Sequence, residues 1–419
     1  MNSLLLLFIV LVLLALRQNM VLILLVAAAY VQVVYGNGTI LYVVEDLWTA
    51  MDNHALLAIP MYLVVGNLIA RGSIADHLVE VFKSATDWMP GGLGVATILA
   101  CAFFSAISGS SAATLIAIGS VMYPALKDAG YSSRFAIGSV TSSGTLGILI
   151  PPSIPLIVYG LVTDTSVADL FLAGVLPGIL LVIIFAVHSI FTNREVTRGT
   201  FSSRRLIASF QNGFCAILTP IILLGGIYSG VFSPTEAAAF AVVYAASVEV
   251  LIYRSFGFSG LFDVMKSSVV MLGTLMPIVA VALMLKSFLA SEGLPDAFAE
   301  WVLNIFDSKV AILLVLNLAL LIIGCLVDVV SAILLFAPMM LAVGTAIGVN
   351  PAHLGIIVVV NLEIGLLTPP LGLNLLIASR SFKERVSSVA MSVLPFVLLM
   401  LVVLMVVTFV PWLSLALIE

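Results

Sequence analysis

Charged residues are scarce in this chain. Only 9% of its 419 residues are Asp, Glu, Lys or Arg, against roughly 25% in soluble domains, whereas 62% are hydrophobic. The apolar residues form continuous runs of helical length and do not alternate with period two, so the sequence predicts an all-α polytopic membrane protein and not a barrel. The formal net charge is −5 and the chain has no basic face, which excludes nucleic acid as a partner.

Cysteine and histidine are also rare, with 3 and 4 copies respectively. The cysteines stand singly in apolar surroundings, and the histidines lack a carboxylate or cysteine neighbour at ligand spacing, so neither redox chemistry nor a zinc site is expected. The chain contains no His-Glu-x-x-His motif, no Gly-x-Ser-x-Gly elbow and no Walker-type Gly-x-x-x-x-Gly-Lys loop. We therefore expect a protein that is not an enzyme, needs no cofactor and does not itself use ATP.

Two proline pairs interrupt apolar stretches about half the chain apart. They stand in Gly147-Ile148-Leu149-Ile150-Pro151-Pro152-Ser153 and in Gly365-Leu366-Leu367-Thr368-Pro369-Pro370-Leu371. Each proline lacks a backbone N–H and clashes with the carbonyl of the preceding turn, so the helix opens there and leaves carbonyl oxygens without partners. Broken backbone persists at membrane depth only where protein or a cavity encloses it. Two breaks in matching halves therefore indicate the binding site of a transporter.

A helical hairpin is predicted before each broken helix. The predicted elements are a hairpin over 92–126 and a broken helix over 132–160 in the first half, and a hairpin over 309–348 and a broken helix over 352–379 in the second half. A shift of 218 residues places Gly147 on Gly365 and Ser110 on Asp328. The flanking charges predict that the two hairpins re-enter the membrane from opposite sides. The sequence therefore predicts an inverted repeat with two re-entrant hairpins and two broken helices.

The remaining segments are predicted to surround the two repeats. Two helices of mixed polarity, over 71–91 and 291–308, are typical of interfacial arms that lie in the membrane plane. The other predicted units are N-terminal scaffold helices over 1–70, transport repeats over 92–192 and 309–385, scaffold helices over 193–290, and a C-terminal transmembrane helix over 386–419. Three basic clusters are predicted to face the cytoplasm. They are Lys127 with Arg134; Arg194, Arg198, Arg204 and Arg205; and Arg380, Lys383 and Arg385.

Several stretches are similar to one known family. They are Leu57–Tyr62, Phe104–Ser111, Gly147–Pro152, Phe232–Ala238 and Leu367–Pro370. Through them the chain resembles, over nearly its whole length, the large membrane subunit (the DctM-like M subunit) of the tripartite ATP-independent periplasmic (TRAP) transporters. It departs from the family at Arg17-Gln18-Asn19-Met20, where a Gly-Val-Pro-like break is usual.

The resemblance implies an elevator-type secondary transporter of the ion-transporter superfamily that performs sodium symport. The partners it implies are a small four-helix membrane subunit and a soluble periplasmic substrate-binding protein, within membrane lipid. The substrates it implies are organic acids such as dicarboxylates and sialic acid. The expected location is the cytoplasmic (inner) membrane of a bacterium or archaeon, with both termini on the periplasmic side.

Sodium is a hard cation that several oxygen atoms coordinate, and its single charge makes carboxylates optional. We therefore predict one sodium site per repeat, built from oxygens of a hairpin tip and of the break across from it. The predicted ligands are Ser108, Ser110, Gly147, Ile150 and Pro152 in the first repeat, and Gly324, Asp328, Gly365, Thr368 and Pro370 in the second. The candidates for substrate contact are Ser105, Ser111, Ser153 and Asn374, with Asn361 and Glu363 as further cavity-lining candidates.

Two acidic residues allow more than one interpretation. An intramembrane carboxylate such as Asp328 is costly and indicates function, but it would also suit the start of a hairpin helix, where it accepts backbone N–H bonds. The hairpin serines could equally serve as small residues that let helices pack closely.

Glu249, five residues before Arg254, is predicted to form a local ion pair or a snorkelling contact.

Three other functions stay open at this point. A self-sufficient sodium–carboxylate symporter would need no binding protein. A channel is disfavoured because inverted hairpins suit alternating access, and an intramembrane protease is disfavoured because no second aspartate is placed to pair with Asp328. The broken helices contain no lysine or arginine that could clamp a carboxylate, so we expect unpaired N–H groups at the hairpin tips to hold an anionic substrate.

Overall fold

A computed structural model describes residues 20–34, 41–52, 54–196 and 199–418, together with isolated positions among the first nineteen. The regular structure in these ranges is helical, and no strand occurs in them. The prediction of an all-α protein is therefore confirmed. Arg17 and Asn19, in the stretch that departs from the family pattern, and Arg198 of the second basic cluster lie outside the described residues.

Serine starts many helices in the first half of the chain. In α6 to α10, which are given below, the hydroxyl of the preceding serine accepts a hydrogen bond from the backbone N–H of the third helical residue. The helices are α1 (Met20–Val34), α2 (Leu41–Met51), α3 (Ala58–Arg71), α4 (Ile74–Thr86), α5 (Gly92–Ser108), α6 (Ser111–Asp128), α7 (Ser133–Thr145), α8 (Ile154–Thr163), α9 (Val167–Thr192), α10 (Ser203–Asn212) and α11 (Phe214–Tyr228).

The second half begins with a capping box. The Ser233 N–H donates to Glu236 Oε2 at 2.8 Å and the Glu236 N–H donates to Ser233 Oγ at 3.3 Å. The helices are α12 (Pro234–Ser247), which continues as a π-turn over Val248–Ile252, α13 (Phe258–Ser291), α14 (Leu294–Ile305), α15 (Lys309–Leu326), α16 (Val329–Ala346), α17 (Pro351–Gly365), α18 (Leu373–Phe382), α19 (Val386–Phe409) and the short α20 (Trp412–Leu415).

Long apolar helices make the chain a multi-pass membrane protein. In the described ranges six helices are long and apolar enough to cross a membrane, namely α9, α12 with its π-turn, α13, α15, α16 and α19. Two bent pairs, α3 with α4 at 66° and α10 with α11 at 60°, bring the total to eight if each pair is one span. The predicted arms contain α4 and α14, and their place in the membrane plane stays a prediction, as does the division into scaffold and transport domains.

Each predicted hairpin consists of two helices joined by a two-residue link. Gly109-Ser110 joins α5 to α6, and Gly109 adopts φ 59°, a left-handed conformation that favours glycine. Val327-Asp328 joins α15 to α16. Helices α7 and α17 end shortly before the two proline pairs, and α8 and α18 begin after them, so the chain is open at both predicted breaks.

The prediction for Glu249 is wrong. Its carboxylate does not pair with Arg254 but reaches the start of α4, where Oε1 accepts from the Ile74 N–H at 2.9 Å and Oε2 accepts from the Ser73 N–H at 3.0 Å. The hydroxyl of Ser255 also donates to Oε2. The first N–H groups of a helix lack intrahelical acceptors, so this fully buried carboxylate caps α4 from a distant segment of the chain.

Candidate functional site

The tip of the first hairpin packs directly against the first break. A Cβ atom built on Gly147 would lie 2.9 Å from the carbonyl carbon of Ser110, closer than real side chains allow. Across the same contact the Ile154 N–H donates to the Gly109 carbonyl at 3.5 Å. Glycine at position 147 therefore lets the backbones of hairpin and break touch. The first predicted sodium site takes its ligands from this hairpin tip and this break, and the two segments are in contact in the structure.

The second hairpin meets the second break in the same way. A Cβ atom on Gly365 would lie 2.4 Å from the carbonyl carbon of Gly324, and the Leu371 N–H donates to the Cys325 carbonyl at 3.3 Å. Both members of this closest contact are glycines, so two backbones meet with no side chain between them. The predicted ligands Gly324 and Gly365 are neighbours in the structure.

Ser110 and Asp328 occupy the same structural position in the two hairpins. Ser110 is the N-cap of α6 and accepts a hydrogen bond from the Ala113 N–H at 3.4 Å. Asp328 is the N-cap of α16 and accepts from the Ser331 N–H at 3.0 Å. The capping role that the sequence allows for Asp328 is thus present, and it leaves the second carboxylate oxygen available for another contact.

One cavity is lined by both hairpin tips. It has a volume of about 240 Å³ and lies between the tips on one side and α3 and α13 on the other. Ser110, Ser111 and Asp328 of the predicted site line it, together with Ala112, Val329 and Val330 from the first turns of α6 and α16. The opposite wall includes Leu63 of α3 and Thr274 of α13. The described lining residues include no lysine or arginine.

The cavity therefore faces two helix N-termini. The first N–H groups of a helix have no intrahelical acceptor and carry the positive end of the helix dipole, which makes them binding groups for anions. The cavity is lined by residues that carry such groups, namely Ser111 and Ala112 of α6 and Val329 and Val330 of α16. Asp328 lines the same wall, so the protein places one acidic residue beside helix N-termini that favour the binding of an anion.

Behind the first tip lies a buried cluster of hydroxyl groups. Ser108 Oγ and Ser105 Oγ lie 3.1 Å and 3.4 Å from Thr114 Oγ1, and this Thr114 hydroxyl donates to the Ser110 carbonyl at 2.9 Å. Thr114 is not among the residues predicted from the sequence. The feature of the sequence that could have indicated this residue is its position one helical turn after Ser110, because a helical side chain at that spacing points back toward the tip.

Other predicted residues lie close to the cavity without lining it. Asn374 Oδ1 accepts from the Ser111 hydroxyl at 3.3 Å, so it supports a residue that does line the cavity. Ser153 is the N-cap of α8 and accepts from the Leu156 N–H at 3.3 Å. Thr368 Oγ1 donates to the Ile364 carbonyl at 2.8 Å. Ile150, Pro152 and Pro370 belong to the breaks, and no contact places them on the cavity wall.

Asn361 and Glu363 are not lining residues, contrary to the prediction. Both are fully buried. Asn361 Nδ2 donates to Asn317 Oδ1 at 2.8 Å, and Glu363 Oε1 accepts from the Thr145 hydroxyl at 2.7 Å. Thr145 and Glu363 are 218 residues apart, which is the offset that relates the two proline pairs. The helices that lead into the two breaks therefore touch each other through residues at corresponding positions.

Comparison with known proteins relates the chain to a family of transporters. A family model described as "Tripartite ATP-independent periplasmic transporter, DctM component" matches residues 5–413. The C4-dicarboxylate TRAP transporter large permease protein DctM of Pseudomonas aeruginosa is 40% identical over 376 residues, which cover 88% of each chain. The sialic acid TRAP transporter large permease protein SiaM of Vibrio cholerae is 34% identical over 397 residues, covering 94% of this chain and 93% of its own.

A solved structure shares the fold. The YdaH transporter of Alcanivorax borkumensis superposes with a TM-score of 0.66 at 16% sequence identity, and the match covers 92% of this chain and 90% of that one. At this identity the likeness establishes the fold and not the substrate or the mechanism.

Proposed function

Because the chain belongs to the DctM family of large permease subunits of tripartite ATP-independent periplasmic transporters, we propose that it imports an organic acid anion by sodium symport. The observation that carries this proposal is a cavity that both hairpin tips line together. Each tip is backed by a helix break, and an opened helix offers the carbonyl oxygens that a sodium ion needs. The setting is the cytoplasmic membrane.

The N-termini of α6 and α16 would hold the substrate carboxylate. Four lining residues, Ser111, Ala112, Val329 and Val330, belong to the first turns of these helices, where N–H groups lack acceptors within the helix. No cationic side chain is then required, and a site built on backbone groups suits several organic acids. The names of the relatives are in keeping with this, since they include a dicarboxylate and a sialic acid permease.

Sodium would offset the negative charge at this site. Asp328 lines the same cavity, and its carboxylate would repel the carboxylate of a substrate bound at short range. A bound cation between tip and break removes the repulsion, so binding of sodium would favour binding of the anion. The proposed ligands remain those predicted for each repeat, with the Thr114 hydroxyl as an addition in the first.

An elevator mechanism fits the position of the cavity. The hairpin tips and residues of the two broken helices form one wall, and α3 and α13 form the other, so the substrate would lie at a boundary between two groups of helices. Movement of the hairpins and breaks as one unit past α3 and α13 would carry the site across the membrane. A periplasmic binding protein would deliver the substrate, and a small membrane subunit would stabilise the stationary helices.

Reconstitution tests the proposal. Proteoliposomes that contain the chain with a small membrane subunit should accumulate a radiolabelled dicarboxylate or sialic acid only with the binding protein outside and an inward sodium gradient. Uptake without the binding protein would instead identify a self-sufficient symporter. If uptake did not depend on sodium, the proposal that sodium is the coupling ion would be refuted. If the substrate only equilibrated across the membrane and did not accumulate, the protein would be a channel.

A further inference from the structure

A second cavity, which we call the lateral crevice, lies on the other side of the first break. It has a volume of about 640 Å³ and is lined by α5, the first break, α9 and α11. This volume lies within the range of roughly 300–1,000 Å³ that is typical of sites for drug-sized ligands. The lining side chains are those of leucine, isoleucine, valine, alanine, phenylalanine and proline, with Gly225 completing the wall. The described lining offers no charged or hydroxyl group.

The lateral crevice is continuous with the apolar outer surface of the helices. Its rim includes Ile179 of α9, which is 49% exposed, and Ile221 of α11, which is 56% exposed. Ile183, one turn further along the membrane-spanning α9, is 53% exposed. Isoleucines this exposed on a membrane span face lipid hydrocarbon, so the crevice opens into the bilayer and not into water.

We propose that the lateral crevice binds an acyl chain of a membrane phospholipid. Water is excluded because it needs two to four polar partners, and the lining supplies none. An empty crevice would cost its lining side chains their dispersion contacts on one side. An acyl chain from the surrounding bilayer meets both conditions, and it requires no headgroup contact inside the crevice. This proposal does not rest on the transported substrate or on sodium coupling.

The acyl chain would lie directly against the first break. Ile150 and Pro151 line the lateral crevice with their side chains. On its other side Ile150 packs tightly on α9, since a Cβ atom built on Gly178 would lie 2.8 Å from Ile150 Cγ1. Phe103 also lines the crevice, and its ring lies 4.8 Å from that of Phe82 on α4. Lipid is therefore a structural component beside the opened backbone.

Position 225 gives access to the lateral crevice without disturbing the protein. A Cβ atom added to Gly225 would meet nothing within 4 Å, so the side chains of Gly225→Phe and the smaller Gly225→Leu begin in open space on the crevice wall. Gly273 in α13 is a matched control, because its Cβ would also meet nothing within 4 Å and it does not line the crevice.

Native mass spectrometry of the purified protein in detergent tests the proposal by counting retained phospholipids. We expect Gly225→Phe and Gly225→Leu to retain one phospholipid fewer than the unmodified protein and Gly273→Phe to retain the same number. Equal numbers in all variants, or no retained phospholipid in the unmodified protein, would overturn the proposal.

A spin label on Gly225→Cys provides a second measurement on protein in lipid nanodiscs. A lipid-filled crevice predicts that relaxation by oxygen exceeds relaxation by a water-soluble nickel chelate. Greater relaxation by the chelate would mean that water fills the crevice. Loss of accessibility to both reagents on addition of the small membrane subunit would mean that a protein partner fills it, and either result would refute the assignment.

Discussion

At the scale of residues, the two hairpin tips differ mainly in charge. Ser110 and Asp328 cap corresponding helices and line one cavity, but only Asp328 carries a carboxylate. The sequence predicted both positions because a polar residue inside an apolar hairpin is locally visible. It did not reveal Thr114, whose role depends on the fold of the tip, or the contact between Ser111 and Asn374, which are 263 residues apart.

Replacing Asp328 by asparagine separates charge from capping. Asparagine is an equally good N-cap, so the fold should persist. A contact with a charged group contributes about 1.5–3 kcal/mol, so the sodium concentration for half-maximal uptake should rise roughly 10- to 100-fold. The control is Asp307→Asn, at an exposed position before α15. An unchanged sodium dependence in Asp328→Asn would remove this residue from the ion site.

Gly365 should not tolerate a methyl group. In Gly365→Ala the new Cβ would lie 2.4 Å from the backbone of Gly324, and overpacking of this kind costs about 1–3 kcal/mol. Gly273→Ala, in open space within α13, should be neutral or stabilising by up to about 1 kcal/mol because alanine favours helix. Thermal unfolding of the purified variants measures both effects. Equal unfolding temperatures would show that the contact between hairpin and break is loose.

At the scale of elements, the sequence predicted what local pattern determines. Prolines end helices and serines begin them, so the breaks, the hairpins and the capping box at Ser233 could be recognised from neighbouring residues alone. The start of α4 could not, because its cap is Glu249, about 175 residues further along the chain. A fully buried carboxylate that binds two backbone N–H groups fixes where α4 leaves α3.

The cap of α4 can be tested by a double-mutant cycle. Glu249→Ala should destabilise the protein by about 1–3 kcal/mol for each N–H group left without a partner. Gly72→Ala should also destabilise it, because the new Cβ would lie 2.0 Å from Glu249 Oε1. The double variant should lose less than the sum of the two effects, since alanine at 249 removes the clash. Simple additivity in thermal unfolding would contradict the contact. Glu292→Ala, at an exposed site, is the control.

At the scale of the whole molecule, the cavity lined by both hairpin tips lies at the boundary between these tips and the helices α3 and α13. The repeated breaks in the sequence predict that the two hairpins and two broken helices lie together. The contacts between these helices and the rest of the protein could not be predicted, because such contacts join residues that are far apart in the chain. One such contact is the ion pair between Asp164, after α8, and Lys286 of α13, at 2.8 Å. An elevator movement would separate these two residues.

A reversible crosslink at this ion pair tests the movement. Cysteines at positions 164 and 286, joined by a short cleavable thiol reagent, should abolish uptake, and cleavage should restore it. Cysteines at positions 80 and 205 are the control, because Glu80 and Arg205 form a 2.9 Å ion pair between α4 and α10, which both lie outside the two predicted transport repeats. Undiminished uptake with 164 and 286 crosslinked would exclude a relative movement of α8 and α13.

The central claim is that each repeat contributes one sodium site to a single substrate cavity. The most direct measurement is the ratio of sodium to substrate taken up by proteoliposomes that contain the assembled transporter, from parallel fluxes of labelled sodium and labelled organic acid. Two hairpin tips, each backed by its own break, predict at least two sodium ions for each anion. A ratio of one, or substrate uptake without any sodium flux, would contradict the account.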